Sequence, residues 1–386
     1  MSAASDRFCP YKGLQPYTEA DRAFFFGRER DRELVIANLY AAPLTVLYGA
    51  SGVGKSSVLL AGVVPALRET PRLAVVVFRA WSQADFRPAL KAALREAVAR
   101  VTGGDAGIDP QLPFDEYLAA CARAVRGQIF FIFDQFEEYF LYHPPDQSDE
   151  GFDAEFARAV NRQEVPANFL LAMREDGLSR LDRFGGRIPR LLGNLLRLEH
   201  LDHRAAEEAV RRPLAELNRR LPADAPPFVI EDALVAILLE EVRTGRVTLD
   251  RTMPGRTPIA GAPDEGRVET PLLQLVLTRL WDEELSAGSR ALRLETLVRL
   301  GGTEKIARTH LDQQMEGLGE RERDLAARLF RFLVTPNGTK IAQDLASLSY
   351  WAEAPPEEAQ RVLDRLSAEM RVTRTLGFRP SETISV

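Results

Sequence analysis

Five short apolar runs punctuate the first two hundred residues, and amphipathic stretches separate them. The runs at 44–48, 73–78, 129–133, 169–173 and 194–198 are strand-length and rich in branched and aromatic side chains. Between them, 86–101, 114–125 and 152–160 carry apolar residues at helical spacing. Uninterrupted rather than alternating apolar runs suit strands buried on both faces. The pattern predicts an α/β fold, a parallel five-stranded sheet with helices on both faces and a ligand site at the carboxyl ends of its strands.

From residue 204 the strand signals fade. Helical spacing over 204–221, 231–243, 272–285 and 303–315 predicts an all-helical domain. The Pro/Gly-rich stretch 252–263 within it reads as a mobile loop. Helical patterns at 323–333, 341–348 and 357–370, then strand-like pieces at 371–374 and 383–386, suggest a C-terminal winged-helix domain. The expected boundaries are an N-terminal segment 1–28, an α/β sheet domain 29–203, a helical domain 204–318 and a winged helix 319–386. Ending on a hairpin strand leaves an unpaired edge, so the winged helix reads as incomplete and the chain as part of something longer.

Composition narrows the class. With 386 residues, 45% hydrophobic and 27% charged, the chain reads as a soluble multidomain protein. A net charge of −6 argues against sequence-independent nucleic-acid binding. Arginines at 187, 190, 197, 204, 211, 212, 219 and 220 are partly interleaved with Glu207, Glu208 and Glu216, the pattern of a solvated helix face, and the remainder are candidates to sit near phosphates. The longest apolar runs fall far short of a membrane span, and the first residues lack a secretion signal. Cys9 and Cys121 stand far apart without metal-ligand partners, and His200 and His203 have no further Cys or His nearby. Cytoplasmic localisation fits these features.

The candidate chemistry starts at Gly49-Ala50-Ser51-Gly52-Val53-Gly54-Lys55-Ser56, directly after the first apolar run and before a helical stretch beginning at Ser57. Glycines let successive N–H groups of Ser51, Gly52, Val53 and Gly54 curl around phosphates, and the helix N-terminus adds partial positive charge. Lys55 then reaches the β- and γ-phosphates, and the Ser56 hydroxyl completes a Mg²⁺ shell. Asp134, which ends the apolar run 129–133, is the candidate metal-side acid opposite Ser56. Hydrolysis needs a group to orient water; Gln135 follows Asp134, so Glu137 and Glu138 share that candidacy. Arg174, at the end of the fourth run, is a candidate γ-phosphate sensor, with a surface pair to Glu175 or Asp176 as the alternative.

These residues, taken with others, resemble the novel STAND NTPases, signalling P-loop ATPases related to AAA+ proteins. The resemblance is carried by Cys9-Pro10-Tyr11-Lys12-Gly13-Leu14, Phe24-Phe25-Phe26-Gly27-Arg28-Glu29, Asp134-Gln135-Phe136-Glu137-Glu138, Leu171-Ala172-Met173-Arg174-Glu175 and Leu272-Leu273-Gln274-Leu275-Val276-Leu277-Thr278-Arg279-Leu280-Trp281. It spans most of the chain, from about residue 8 to about residue 378.

The resemblance implies a switch that binds ATP or ADP with Mg²⁺, hydrolyses slowly, and opens and forms a homo-oligomer in the ATP state. It implies that Gly27 and Arg28 lie against the adenine and ribose. Pro213 falls where the family's helical domain presents a proline to the adenine; a helix start, a kink or an inter-helix turn are the other readings. Sensor and effector domains would lie C-terminal to this segment. Related winged helices carry a phosphate-contacting histidine, whereas no histidine follows His310 here, so that contact is either missing or beyond this segment. The expectation is looser ADP retention than in a version extended through the next strand. A winged-helix DNA-binding regulator and a P-loop kinase remain the alternatives; the acidic 357–370 helix disfavours the first and the long helical tail the second.

Overall fold

The computed structural model describes residues 8–143, 145, 151–243, 266–333, 342–343, 345–370 and 384–385. Five strands, β1 (Leu44–Gly49), β2 (Leu73–Phe78), β3 (Gln128–Phe133), β4 (Ala167–Arg174) and β5 (Leu195–Arg197), pair in parallel in the order β2-β3-β4-β1-β5. Successive side chains of a strand point to opposite faces. Val46, Val76, Phe131 and Leu171 accordingly enter one core, and their neighbours Leu47, Val75, Phe130 and Leu170 enter another. Both faces of the central strands are therefore dry, as the unbroken apolar runs require.

Helices cover the two faces. α1 (Glu29–Ala41) packs on one side with the helix that follows β1, which runs as α2 (Lys55–Ser57), a π-helical turn (Val58–Val63) and α3 (Val64–Arg68). On the other side lie α4 (Arg87–Thr102), α5 (Phe114–Val125) and α7 (Phe152–Asn161), with the short α6 (Glu137–Tyr142) between the last two in sequence. Trp81, fully buried, is the hub of this second core; its ring centroid lies 4.8–5.7 Å from those of Phe78, Phe86, Phe133, Phe136 and Tyr139. The mostly edge-on arrangement is the favourable one for aromatic quadrupoles.

Beyond the sheet the chain is helical, with α8 (His203–Arg220), α9 (Asp232–Glu241), α10 (Thr270–Ser286), α11 (Leu294–Leu300) and α12 (Gly302–Glu316). A small parallel pair, β6 (Val229–Ile230) and β7 (Ala291–Leu292), joins the loops of this group. Asp202 caps α8 by accepting the Ala205 N–H at 2.8 Å, a contact worth about 1 kcal/mol. The N-terminal segment contributes Tyr11, Tyr17 and Phe24 to the core of these helices, alongside Val210, Leu238, Leu273 and Trp281. It packs with the helical group although it precedes the sheet in the chain.

A fourth core joins α13 (Glu320–Leu333), α14 (Leu345–Trp351) and α15 (Pro356–Met370). The pattern over 341–348 predicts a helix; the helix instead begins at Leu345, and β8 (Ala342–Gln343) pairs antiparallel with β9 (Ile384–Ser385). Pairing with a distant strand overrides local helical spacing at those two residues. The expected strand at 371–374 and the Pro/Gly-rich stretch 252–263 lie outside the described residues.

Candidate nucleotide-binding site

The loop after β1 sits at the carboxyl edge of the sheet. Gly54, with φ 97°, caps the helix that begins at Lys55. Gly52 has φ 79°, and a Cβ there would stand 2.9 Å from Pro271 Cγ of α10, so both its backbone and its neighbour demand glycine. The Lys55 ammonium donates to the carbonyls of Gly49 and Ala50, each at 2.9 Å. Burial pushes its pKa down, while the carboxylates of Glu137 and Asp134 pull the other way.

Across the loop, the Ser56 hydroxyl donates to Asp134 Oδ1 at 3.1 Å. Asp134 is 2% exposed, and burial raises its pKa against the opposing pull of Arg79, the Ser56 hydroxyl and Lys55. Its Oδ2 is buried with no hydrogen-bond partner. A hydroxyl and an unsatisfied carboxylate oxygen side by side fit a hard divalent cation such as Mg²⁺, which takes oxygen ligands. The turn that follows is tightly held: Trp81 Nε1 donates to the Asp134 carbonyl at 2.8 Å, and the Phe136 N–H donates to the Ala172 carbonyl at 2.9 Å. Gln135 adopts φ 55° there, a left-handed conformation that a non-glycine residue takes up at a cost.

Glu137 and Glu138 part company. Glu137 lines the cavity and accepts the Arg174 N–H on Oε2 at 3.2 Å; burial raises its pKa, opposed chiefly by Lys55. Glu138 is not among the cavity-lining residues. Arg174, 8% exposed, lines the cavity and pairs with Asp176 at 3.1 Å, so the pocket position and the ion pair coexist in one side chain.

Gly27 and Arg28 are close to the site in different ways. Gly27, at φ 82°, touches α8 rather than the cavity: a Cβ there would stand 2.2 Å from the Ala205 carbonyl oxygen. Arg28 lines the cavity, but its guanidinium is engaged by protein. It donates to the carbonyls of Val53 at 2.7 Å and Glu199 at 2.8 Å, and to Asp31 at 2.7 Å. It therefore splints the phosphate loop to the strand-to-helix connection before α8.

Pro213 lies inside α8, neither at a helix start nor in a turn, and is absent from the cavity wall. Lacking an N–H, it cannot bond the carbonyl of Ala209, one turn earlier, and Ala209 does line the cavity. The proline against the phosphate loop is Pro271, on the first turn of α10. Around it stand Thr270, whose buried hydroxyl has no partner among the described residues, and Gln274. Residues 13–17 complete the wall, and the Tyr17 N–H donates to Ser57 Oγ at 3.1 Å. Sequence reasoning assigned no role to Arg79, Pro271 or Gln274. Arg79 had a readable signal, because it ends an apolar run as Asp134 and Arg174 do.

A family model, Novel STAND NTPase 1, matches residues 10–376. The chain belongs to the novel STAND NTPase 1 family. Membership of an NTPase family agrees with a nucleotide-binding protein, and the cavity at the sheet edge brings together the loop after β1 and the acid after β3, two strands away. No curated protein matches it. Among solved structures, a Walker-type ATPase of Pyrococcus abyssi matches at 17% identity over 92% of this chain and 92% of its own, with a TM-score of 0.48. The Aeropyrum pernix ORC1 protein in complex with DNA matches at 13% identity, 89% and 84% coverage and a TM-score of 0.47. Cdc6p of Pyrobaculum aerophilum matches at 14% identity, 93% and 89% coverage and a TM-score of 0.43.

The arginine-rich stretch is largely paired with acids. Arg204 and Arg212 meet Glu208, Arg211 meets Glu207, and Arg219 and Arg220 meet Glu216. Among the described residues, no helix is long and apolar enough to cross a membrane.

Proposed function

We infer that this STAND NTPase is an ATP-binding molecular switch in which exchange of ADP for ATP, followed by slow hydrolysis, drives opening and homo-oligomerisation in cytoplasmic signalling or defence. One observation carries the reading. The cavity is walled on one side by the phosphate loop, Asp134, Glu137 and Arg174, and on the other by α10 and the N-terminal segment. A nucleotide bound there touches the sheet domain and the helical group at once, so a change in its phosphates alters how the two are held together.

In this reading the N–H groups of residues 51–54 and Lys55 hold the β- and γ-phosphates, and Ser57 anchors the N-terminal segment beside them. Ser56 and Asp134 would hold Mg²⁺, which would neutralise phosphate charge. Glu137 orients and deprotonates the attacking water, and Arg174, fixed by Asp176, faces the terminal phosphate. Pro271 takes the adenine-side role that the family resemblance attached to Pro213. Gly27 and Arg28 shape that side through the backbone rather than by direct hydrogen bonds.

The proposed domains are 29–203, 204–318 and 319–386, the last a winged helix made by α13, α14 and α15 with the β8–β9 pair. Sensor and effector domains act as partners. The acidic 357–370 helix supports a protein-facing rather than nucleic-acid-facing role for the winged helix.

Nucleotide released by denaturing the purified protein and resolved by anion exchange tests the reading. Adenine nucleotide at about one per chain is the expected result, with ADP predominating. A guanine nucleotide would overturn the adenine assignment. Turnover that transfers phosphate to a small acceptor instead of water would favour a kinase.

A further inference from the structure

The cations around the cavity are not equivalent. Arg28 is engaged by two carbonyls and Asp31, Lys55 by two carbonyls of its own loop, and Arg174 by Asp176. Arg79 also lines the cavity, is exposed, and has no hydrogen-bonded or ion-paired partner among the described residues.

Its backbone is nevertheless well anchored. Phe78, the last residue of β2, pairs in register with Phe133, and its carbonyl accepts the Asp134 N–H at 2.9 Å. Two residues after Arg79, the buried Trp81 donates to the Asp134 carbonyl at 2.8 Å. Arg79 is thus pinned on both sides to the backbone of the acid assigned to the metal. Its charge is also the foremost of those favouring the ionised form of Asp134, ahead of Lys55.

Strand order says which part of a nucleotide it meets. Going outward from the phosphate loop, the strand ends carry the loop on β1, Arg174 on β4, Asp134 after β3 and Arg79 after β2. Neighbouring strands lie about 4.8 Å apart, so β2 is about 14 Å from β1. In the nucleotide reading the loop N–H groups and Lys55 hold the β- and γ-phosphates, and Arg79 stands on the far side of the metal-side acid. Of the two nucleotides only a triphosphate would place a γ-phosphate between Lys55 and Asp134, in the part of the cavity that Arg79 also lines.

The geometry points to Arg79 as a triphosphate-reading residue, whose guanidinium engages the terminal phosphate from the β2 side and so distinguishes ATP from ADP. The inference rests on the nucleotide reading above and adds the group that reads nucleotide state. An arginine suits the task because its planar fork meets two phosphate oxygens together.

The test is calorimetric titration of the full chain with Mg-ADP and with a non-hydrolysable Mg-ATP analogue, for the wild type, Arg79→Gln and Arg79→Lys. The expected result for Arg79→Gln is ADP affinity within about twofold of wild type and triphosphate affinity reduced ~10- to 100-fold, the range for losing a charge-assisted contact. Arg79→Lys should recover part of that loss, since it keeps the charge without the fork. Equal loss of both nucleotides, or no loss of either, would overturn the role of Arg79 alone. A wild-type protein that binds neither nucleotide would overturn the nucleotide reading and this inference with it. Unchanged ADP binding doubles as the control for folding.

Discussion

The Tyr17 hydroxyl donates to Gln274 Oε1 at 3.0 Å, across 257 residues of chain. The same oxygen accepts the Lys12 N–H at 3.1 Å, and Gln274 is 5% exposed. One buried amide thus ties the N-terminal segment to α10 immediately beside the phosphate loop. Gln274→Leu keeps the volume and strands two donors, which should lower stability by about 1–3 kcal/mol for each donor left unpaired. Tyr17→Phe removes one donor cleanly and should cost about 1 kcal/mol. Urea unfolding of both variants checks this, and equal costs would argue that the amide is not the shared acceptor.

Lys55→Ala removes the one ammonium in the loop while leaving its glycines intact. Nucleotide binding should fall below detection with the far-ultraviolet circular dichroism unchanged. Retained ATP binding would mean that the site lies elsewhere.

The two glutamates after Gln135 should separate kinetically. Glu137 lines the cavity and Glu138 does not. Glu137→Gln is expected to slow ATP hydrolysis ~100-fold or more, within the range for losing a positioned general base, with nucleotide affinity kept. Glu138→Gln should hydrolyse within a few-fold of wild type. The reverse order would reassign the base.

Gly27 serves the close approach of α8. Alanine there would place Cβ 2.2 Å from the Ala205 carbonyl oxygen at φ 82°, so strain and clash combine. Gly27→Ala should destabilise the protein by roughly 2 kcal/mol or more, from the cost of overpacking together with a left-handed alanine. A thermal midpoint equal to wild type would show that α8 shifts without penalty.

Burial pushes the Cys9 and Cys121 thiols up to about 12 each. Both should stay protonated in the folded protein at pH 8 and react slowly with iodoacetamide, because the thiolate is the nucleophile. An unfolded thiol ionises near its ordinary value of about 8.5, whereas the folded one holds its proton up to about 12. Their contribution to stability is complete below the ordinary value and is lost as pH rises toward the folded one. Alkylation at pH 8 that is as fast in the native protein as in urea would contradict the burial of both groups.

Much of the sheet was legible because it obeys local rules. Runs such as Ile129–Phe133 have no polar face, and only a strand covered on both sides accommodates that. The phosphate loop was equally legible, since its chemistry depends on consecutive residues and on backbone N–H groups. Pro213 shows where the reading stops. Helical spacing over 204–221 already predicted the helix, but not that its proline would be buried inside it and away from the cavity wall, which the packing of Val210, Leu214 and Leu217 against distant partners decides.

By itself, then, the sequence determined the strand and helix periods of the sheet domain, the glycine-rich loop after β1 and the acid at the end of β3. All of these are set by residues adjacent in the chain or by a repeating period. Only the tertiary structure decided which proline faces the loop, which glutamate reaches the cavity, and that Arg79 stands beyond Asp134. It also decided that the N-terminal segment packs with helices more than two hundred residues away. Those relations arise from strand order and from helix packing, in which residues remote in sequence compete for the same buried surface.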